Sequence, residues 1–179
     1  MFRNAMISCG AAALLTLGAC STAPKAADVT GNVRNALKQA GLKNVSVSQD
    51  REKGVVSLTG NVASDSDKAE AESIAKANAG GQVVADEIAV LPPNDQSAAK
   101  TINADLDAGI KKNLDAALVQ NRLNKQVKYA VKNGVVKLTG TVDSRATRSQ
   151  AEQVAASVPN VQQVVNELEV RYTRATSSR

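Results

Sequence analysis

The stretch Gly54-Val-Val-Ser-Leu-Thr-Gly-Asn-Val62 occurs a second time, 80 positions later, as Gly134-Val-Val-Lys-Leu-Thr-Gly-Thr-Val142. The same shift carries Val84-Ala-Asp-Glu-Ile-Ala-Val90 onto Val164-Val-Asn-Glu-Leu-Glu-Val170. An ungapped register over this length of chain indicates one structural unit written twice. We therefore treat the chain as two copies of one small module.

Each copy reads as a helix, a hairpin, a second helix and a closing strand. Apolar residues three and four apart predict amphipathic first helices over residues 28–40 and 105–120. Alternating apolar and polar residues predict the strands that lead into hairpins at Lys53-Gly54 and Asn133-Gly134. The second strands are predicted over Val55–Thr59 and Val135–Thr139, and Gly60 and Gly140 end them. Crossover helices capped by Ser64 and Ser144 follow. The last strands are predicted over Val84–Val90 and Val164–Val170.

This order predicts an α/β protein (an α+β sandwich) of two tandem α-β-β-α-β modules. The hairpin strands pair antiparallel, and the crossover helix favours parallel pairing of the second and third strands. Each module is then a three-stranded mixed sheet covered by two helices on one face.

Composition excludes much catalytic chemistry. The chain has no histidine, and its only cysteines are Cys9 and Cys20, both near the N-terminus. Ser-His-Asp and Cys-His arrangements are therefore impossible, and so are histidine-based zinc sites. Since no calcium-loop spacing of acids occurs either, we expect no enzyme activity, no metal and no cofactor.

The N-terminus has the pattern of an exported, lipid-anchored protein. Residues 1–19 contain one charge, Arg3, and an apolar stretch too short to span a bilayer as a helix. Leu17-Gly18-Ala19-Cys20 resembles the lipobox of bacterial lipoproteins, which implies cleavage before Cys20 and acylation of it. Ser21 then favours the outer membrane under the enteric sorting rule. The alternatives are an ordinary signal peptide followed by a chance cysteine, or an uncleaved N-terminus of a cytoplasmic protein.

The pattern G-x-V-x-L-x-G-x-V, followed by a helix and a V-x-N-x-(I/L)-x-V strand, resembles the BON domain. Both copies fit it, although the first has Asp86 where Asn is typical, as at Asn166. With the lipobox, the chain is similar to outer-membrane lipoproteins with two BON domains, and to related periplasmic osmotic-stress proteins. The resemblance implies association with phospholipid membranes and support of envelope integrity, and gives Gly60 and Gly140 a framework role.

The expected boundaries follow from the repeat, the lipobox and the prolines at Pro92-Pro93. They are a lipoprotein signal peptide at 1–19, an acylated tether at 20–26, a first BON domain at 27–91, a linker at 92–102, a second BON domain at 103–172 and a tail at 173–179.

The two copies differ in charge. Residues 27–91 carry 7 basic and 9 acidic residues, whereas residues 92–179 carry 13 and 8. Near an anionic surface each cation is worth about 1 kcal/mol. We therefore expect the second copy to contact anionic phospholipid; the alternative is a solvated face that keeps the protein soluble. The candidate contacts are Lys111, Lys112, Lys125, Lys128, Arg145 and Arg148, and the expected lipid attachment is at Cys20.

The basic sequence is also compatible with two other classes of partner. Nucleic acid fits the sequence pI of about 9.3, but no G-x-x-G loop occurs, and Tyr129 and Tyr172 are the only aromatic residues after Cys20. We therefore expect no nucleic acid. The alternative that stays open is a protein-binding adaptor of an outer-membrane assembly complex, which would dock through a sheet face or edge.

Overall fold

The computed structural model describes residues 25–171, in which the predicted α-β-β-α-β order occurs twice. The predicted signal peptide, Cys20, the first part of the tether and the tail lie outside the described residues. The first module, residues 25–91, contains α1 (Thr30–Gln39), β1 (Val45–Asp50), β2 (Val55–Val62), α2 (Asp65–Asn78) and β3 (Val83–Val90). The second module, residues 96–171, contains α3 (Gln96–Gln120), β4 (Val127–Lys132), β5 (Val135–Val142), α4 (Arg145–Ala156), β6 (Gln163–Asn166) and β7 (Glu169–Val170).

The central strand of each sheet is the one that carries the repeated motif. β2 pairs antiparallel with β1 and parallel with β3, and β5 pairs in the same two ways with β4 and β6. β7 pairs with the last residues of β5 in the register that β6 began, so β6 and β7 are two segments of the predicted last strand. The predicted mixed topology and fold class are confirmed.

Helix α3 is longer than the sequence pattern predicted. It begins at Gln96 instead of 105, so residues 96–102, expected as linker, are helical and only residues 92–95 separate the last strand from the helix. Ala98, Ala99 and Lys100 are good helix formers. Because the chain has no proline between Pro93 and the end of α3, no residue in this stretch interrupts the helix. The prediction relied on the apolar stripe, which marks where the helix is buried, not where it begins.

The extended α3 is fastened to the hairpin of its own module. The Asp107 carboxylate accepts hydrogen bonds from the backbone N–H groups of Asn133 (2.8 Å) and Gly134 (2.9 Å). Both turn residues have positive φ, +47° and +77°, as the predicted Asn-Gly hairpin requires.

Gly60 and Gly140 lie inside the central strands instead of ending them. β2 and β5 continue to Val62 and Val142, and the two glycines have φ values of +117° and +123°. A Cβ atom at Gly60 would overlap the carbonyl oxygen of Asn44, and the same overlap occurs at Gly140. The predicted framework role is therefore explained by close approach of the neighbouring chain.

Each module has its own apolar core between sheet and helices. The side chains of Val33, Leu58 and Ile88 are fully buried in the first core, and those of Leu114 and Leu138 in the second. The opposite faces of the two sheets pack against each other through a smaller cluster of Val55, Ala85, Val135 and Val165. The central strands are thus buried on both faces, which explains the consecutive valines that open each motif.

Candidate functional site

The six cations predicted to contact lipid are all exposed. Lys111 and Lys112 lie on α3, Lys125 lies in the turn after it, and Lys128 lies on the edge strand β4. Arg145 and Arg148 occupy the first turn of α4.

The structure does not gather these six side chains on one surface. In β4, Val127 and Val131 are buried against the helices, so alternation places Lys128 on the opposite face of the sheet. Lys111 lies one turn beyond Asp107, which contacts the hairpin end of the module, whereas α4 begins at the other end. Among the six, Arg145 and Arg148 are the two that line a common cleft.

This cleft lies between the start of α4 and β7. Its lining residues are Arg145, Arg148, Ser149, Glu152, Leu168 and Val170, and its volume is about 540 Å³. The helix residues have the spacing i, i+3, i+4 and i+7, which places them on one face of α4. The spacing of the helix residues can be read from the sequence, whereas the presence of β7 in the wall of the cleft depends on the fold. We call this the arginine cleft.

Asn166 holds the arginine cleft in shape. The Arg148 guanidinium donates to the Asn166 carbonyl oxygen (2.9 Å), and the Asn166 amide donates to the Arg148 carbonyl (3.1 Å) and to Glu152 (2.9 Å). The Asn166 side-chain oxygen also accepts from the N–H of Leu168 at 3.2 Å. The asparagine of the closing-strand motif therefore ties α4 to the strand beside it.

The predicted N-cap confirms where α4 begins. The Ser144 hydroxyl accepts from the N–H of Thr147 at 3.0 Å, and Ser64 caps α2 in the same way at 3.2 Å. An arginine in the first turn of a helix interacts unfavourably with the helix dipole, by some tenths of a kcal/mol. Arg145 and Arg148 therefore do not contribute to the stability of α4 through the dipole.

The arginine cleft lies at the end of the molecule where the described chain begins. Lys25 pairs with Glu52 (3.2 Å), and the backbone N–H of Ala26 donates to the Arg51 carbonyl (2.8 Å). The next residue along the first hairpin, Lys53, pairs with Glu169 of β7. Leu168 and Val170, the sequence neighbours of Glu169, line the arginine cleft from the opposite face of β7, so the tether, the first hairpin and the cleft lie at one end of the molecule.

The corresponding place in the first module has a different character. Asp65 and Lys68 replace the two arginines, and Asp86 replaces Asn166. Lys68 donates to Gln162 of the second module at 3.2 Å, so this region is partly covered by the other module. Burial raises the pKa of Asp86, although Lys68 opposes the shift and Ile88 donates its N–H to the carboxylate at 3.2 Å.

Tyr129 connects the edge strand to α3. Its hydroxyl donates to the Lys111 carbonyl at 3.3 Å. Burial, together with the nearby Asp115 carboxylate, raises the pKa of Tyr129 to about 12, so the phenol stays protonated at neutral pH.

Between residues 25 and 171, no group of three or more acidic or cysteine side chains is placed to hold a metal ion. None of the helices in that range combines the length and the apolar character needed to cross a bilayer.

Comparison with known proteins places the repeat in a family. The BON domain family matches residues 25–92 and 105–172. Osmotically-inducible protein Y of Escherichia coli (strain K12) is 30% identical over 146 residues, which cover 80% of this chain and 71% of that protein.

Two solved structures show weaker likeness. Both are of CdsD, a structural protein of the type III secretion system of Chlamydia trachomatis. One has a TM-score of 0.37 at 15% identity, covering 83% of this chain and 94% of that one. The other, its C-terminal domain, has a TM-score of 0.34 at 16% identity, covering 81% and 98%. At these scores neither supports an argument about this chain.

The two family matches coincide with the two structural repeats and together span most of the sequence. The chain therefore belongs to the BON-domain family and carries two BON domains in tandem.

Proposed function

We propose that this chain is a non-catalytic lipoprotein of the bacterial envelope, held at the periplasmic face of the outer membrane through acylated Cys20. Its second BON domain associates with anionic phospholipid, and the protein supports outer-membrane integrity. The lipobox and the similarity to an osmotically inducible protein support the location. The supporting observation for lipid association is that the arginine cleft and the tether lie at one end.

The short length of chain between Cys20 and the first module supports the proposal. Residues 21–24 are the only ones between Cys20 and the first described residue, Lys25, and at roughly 3.3 Å per extended residue the five steps from Cys20 to Lys25 reach about 17 Å. An acyl chain on Cys20 would thus hold the hairpin at Arg51–Lys53 near the leaflet. The arginine cleft, joined to that hairpin through Glu169, would then lie near the lipid headgroups.

The test of lipid association uses the chain from residue 21 onward, which lacks the acylation site. It is mixed with vesicles of phosphatidylglycerol and phosphatidylcholine, or of phosphatidylcholine alone, and co-sedimentation is measured. We expect binding to the anionic vesicles that is lost in high salt, since screening weakens charge attraction. Equal binding to both vesicles, or to neither, contradicts the proposal.

The arginine cleft is tested by Arg145→Gln with Arg148→Gln. At about 1 kcal/mol for each cation near an anionic surface, the double variant should bind about thirtyfold more weakly. The matched control is Lys38→Gln with Lys43→Gln, which removes the same charge at the opposite end of the first module, where α1 ends and β1 begins. An equal loss in both variants would show that net charge alone is responsible.

The anchor is tested separately by fractionating cells that express the native chain or Cys20→Ala. We expect the native chain in the outer-membrane fraction and the variant in the soluble fraction. Should the native chain be recovered soluble with its leader attached, the lipoprotein assignment is wrong.

A further inference from the structure

The two sheets meet with an approximate twofold relation. The apolar cluster between them contains Val55 and Ala85 of the first module and Val135 and Val165 of the second. These are two pairs of equivalent positions in the repeat, 80 residues apart. Each module therefore presents the same sheet face to the other, as two subunits do in a symmetric dimer.

A single lysine breaks this symmetry at its centre. Lys137 and Ser57 occupy equivalent positions, and the Lys137 ammonium lies 3.4 Å from the Ser57 hydroxyl. Contact between equivalent residues places both of them at the approximate axis. One side of the axis thus carries a cation and the other a small hydroxyl.

The lysine lies between two glutamates that the repeat also relates. The Lys137 ammonium is 3.7 Å from the Glu87 carboxylate and 3.6 Å from that of Glu167. The glutamate side chains are only 14% and 8% exposed, so they are largely removed from solvent. Lys132 adds a second partner for Glu87, at 3.3 Å.

Polar contacts around the axis also use residues that differ between the copies. The Gln163 amide donates to the Val84 carbonyl (2.7 Å) and accepts from the Asp86 N–H (3.0 Å), so it pairs with the backbone of β3. The Asn133 amide donates to the Glu87 carbonyl at 2.8 Å. Their counterparts in the first module are Val83, whose side chain has no hydrogen-bonding group, and Lys53, which pairs with Glu169 instead.

We propose that the sheet face of each BON domain is a heterotypic docking surface, specific for the other BON domain of this protein, with Lys137 as its specificity residue. Two first modules paired in this way would bring Glu87 against Glu87 with serine at both axis positions, leaving carboxylates without a cation. Two second modules would place Lys137 against Lys137 at the axis, with a Glu167 on either side. This pair is disfavoured by the contact between its two ammonium groups, which the mixed pair avoids. The mixed pair places one lysine between two glutamates, so wrong pairs are disfavoured by like charges.

In the intact chain the docking surface binds the other BON domain of the same chain. The exposed residues Pro93, Asn94 and Asp95 join the two modules by a short linker, which keeps the contact within one chain. When that linker is cut, the same surface should hold the modules together without it.

The experiment uses the full chain from residue 21, with a protease site inserted after Asn94 and cut only after folding. We expect sedimentation to show a one-to-one complex of the two fragments that persists at micromolar concentration. Fragments that separate at that concentration, or that form homodimers as tight as the mixed pair, would overturn the proposal.

The role of Lys137 is tested by moving it across the axis. Lys137→Ser should weaken the cut complex about tenfold, the equivalent of about 1.4 kcal/mol. The double variant Ser57→Lys with Lys137→Ser should restore affinity to within about threefold, because the symmetry lets a lysine at position 57 reach the same two glutamates. Lys128→Ser, on the same sheet face but outside these ion pairs, is the control and should change little.

A measurement on the uncut chain covers the case in which the cut fragments unfold. There Lys137→Ser should lower the midpoint of urea unfolding, and the double variant should return it to the native value. Failure of the swap to restore stability or affinity would show that Lys137 does not determine the pairing.

Discussion

The two BON domains share a framework and differ at their polar positions. In both, an interior glycine with positive φ, a serine cap and a central strand buried on both faces recur at equivalent places. The arginine pair at the start of α4, the asparagine of the closing strand and the axis lysine occur in the second domain alone. Duplication preserved the packing, while charge diverged at the surface and at the junction between the domains.

The framework positions and the polar positions of the two domains are constrained by different contacts. The framework positions face backbone or core atoms that a different side chain would overlap. The two arginines are exposed and Lys137 contacts the other domain, so a change at these positions alters recognition before it alters folding. Asn166 contacts α4 of its own domain, so a change there also alters stability. We therefore expect substitutions at framework positions to affect both domains alike, and substitutions at polar positions to affect them differently.

The largest effect should come from the interior glycines. Gly60→Ala and Gly140→Ala should each lower the free energy of unfolding by about 3 kcal/mol, because positive-φ strain adds to overlap with a carbonyl oxygen. Urea unfolding followed by circular dichroism measures this. Gly109→Ala is the control, since nothing lies near its added Cβ and helix propensity improves by about 0.5–1 kcal/mol. A large difference between the two strand variants would show that the frameworks are not equivalent.

A smaller effect is expected at the closing-strand asparagine. Asn166→Asp removes the amide hydrogen bonds to Arg148 and Glu152 and places a carboxylate beside Glu152. We expect a loss of about 2 kcal/mol at neutral pH, from the lost bonds and the repulsion. Thermal unfolding at several pH values checks this, and the loss should shrink in acid. A neutral result would mean that Asn166 does not hold the arginine cleft.

The serine caps should matter about equally. Ser64→Ala and Ser144→Ala each remove one hydrogen bond to a backbone N–H at the start of a helix. The expected loss is about 1 kcal/mol in either domain. Ser64→Asp and Ser144→Asp, which retain an acceptor, should keep most of the stability in chemical unfolding experiments.

The smallest effect, a gain, is expected from Asp86→Asn. Burial raises the pKa of Asp86 above its usual 3.8, so the charged carboxylate destabilises the folded state at pH values above the folded-state pKa. The neutral amide removes that cost and should stabilise the chain at neutral pH by about 0.5–1 kcal/mol, the scale of one hydrogen bond. The gain should fall as pH decreases through the folded-state pKa and vanish below 3.8. A gain that does not depend on pH would point to a cause other than charge burial.

Much of the fold was predictable because local rules and global packing agree in this chain. The repeat, the alternation of valines and the Asn-Gly turn each predicted an element that the structure contains. The start of α3 was not predictable from the apolar stripe, because the first turns of that helix remain exposed. The end of β2 was misplaced at Gly60, because a glycine that stops a strand and one that admits a close neighbour look the same in sequence.

The candidate site was predictable in part. Arg145 and Arg148 were identified from charge and position, and they line one cleft. The other four predicted contacts, all lysines, were grouped with the two arginines by sequence distance. The fold separates these lysines across two faces and two ends of the domain. Glu152 and the β7 residues were missed because the cleft depends on which strand lies beside α4.

The number of domains, the order of their elements and the absence of histidine all follow from the amino-acid sequence, because a repeat, a periodicity and a composition are properties of the chain itself. How the two domains meet follows only from the folded structure. The two similar motifs present similar apolar faces, and only their packing brings Lys137 between Glu87 and Glu167. The physical reason is that local pattern sets which face of a strand is apolar, whereas charge pairing across the approximate axis depends on residues far apart in the chain.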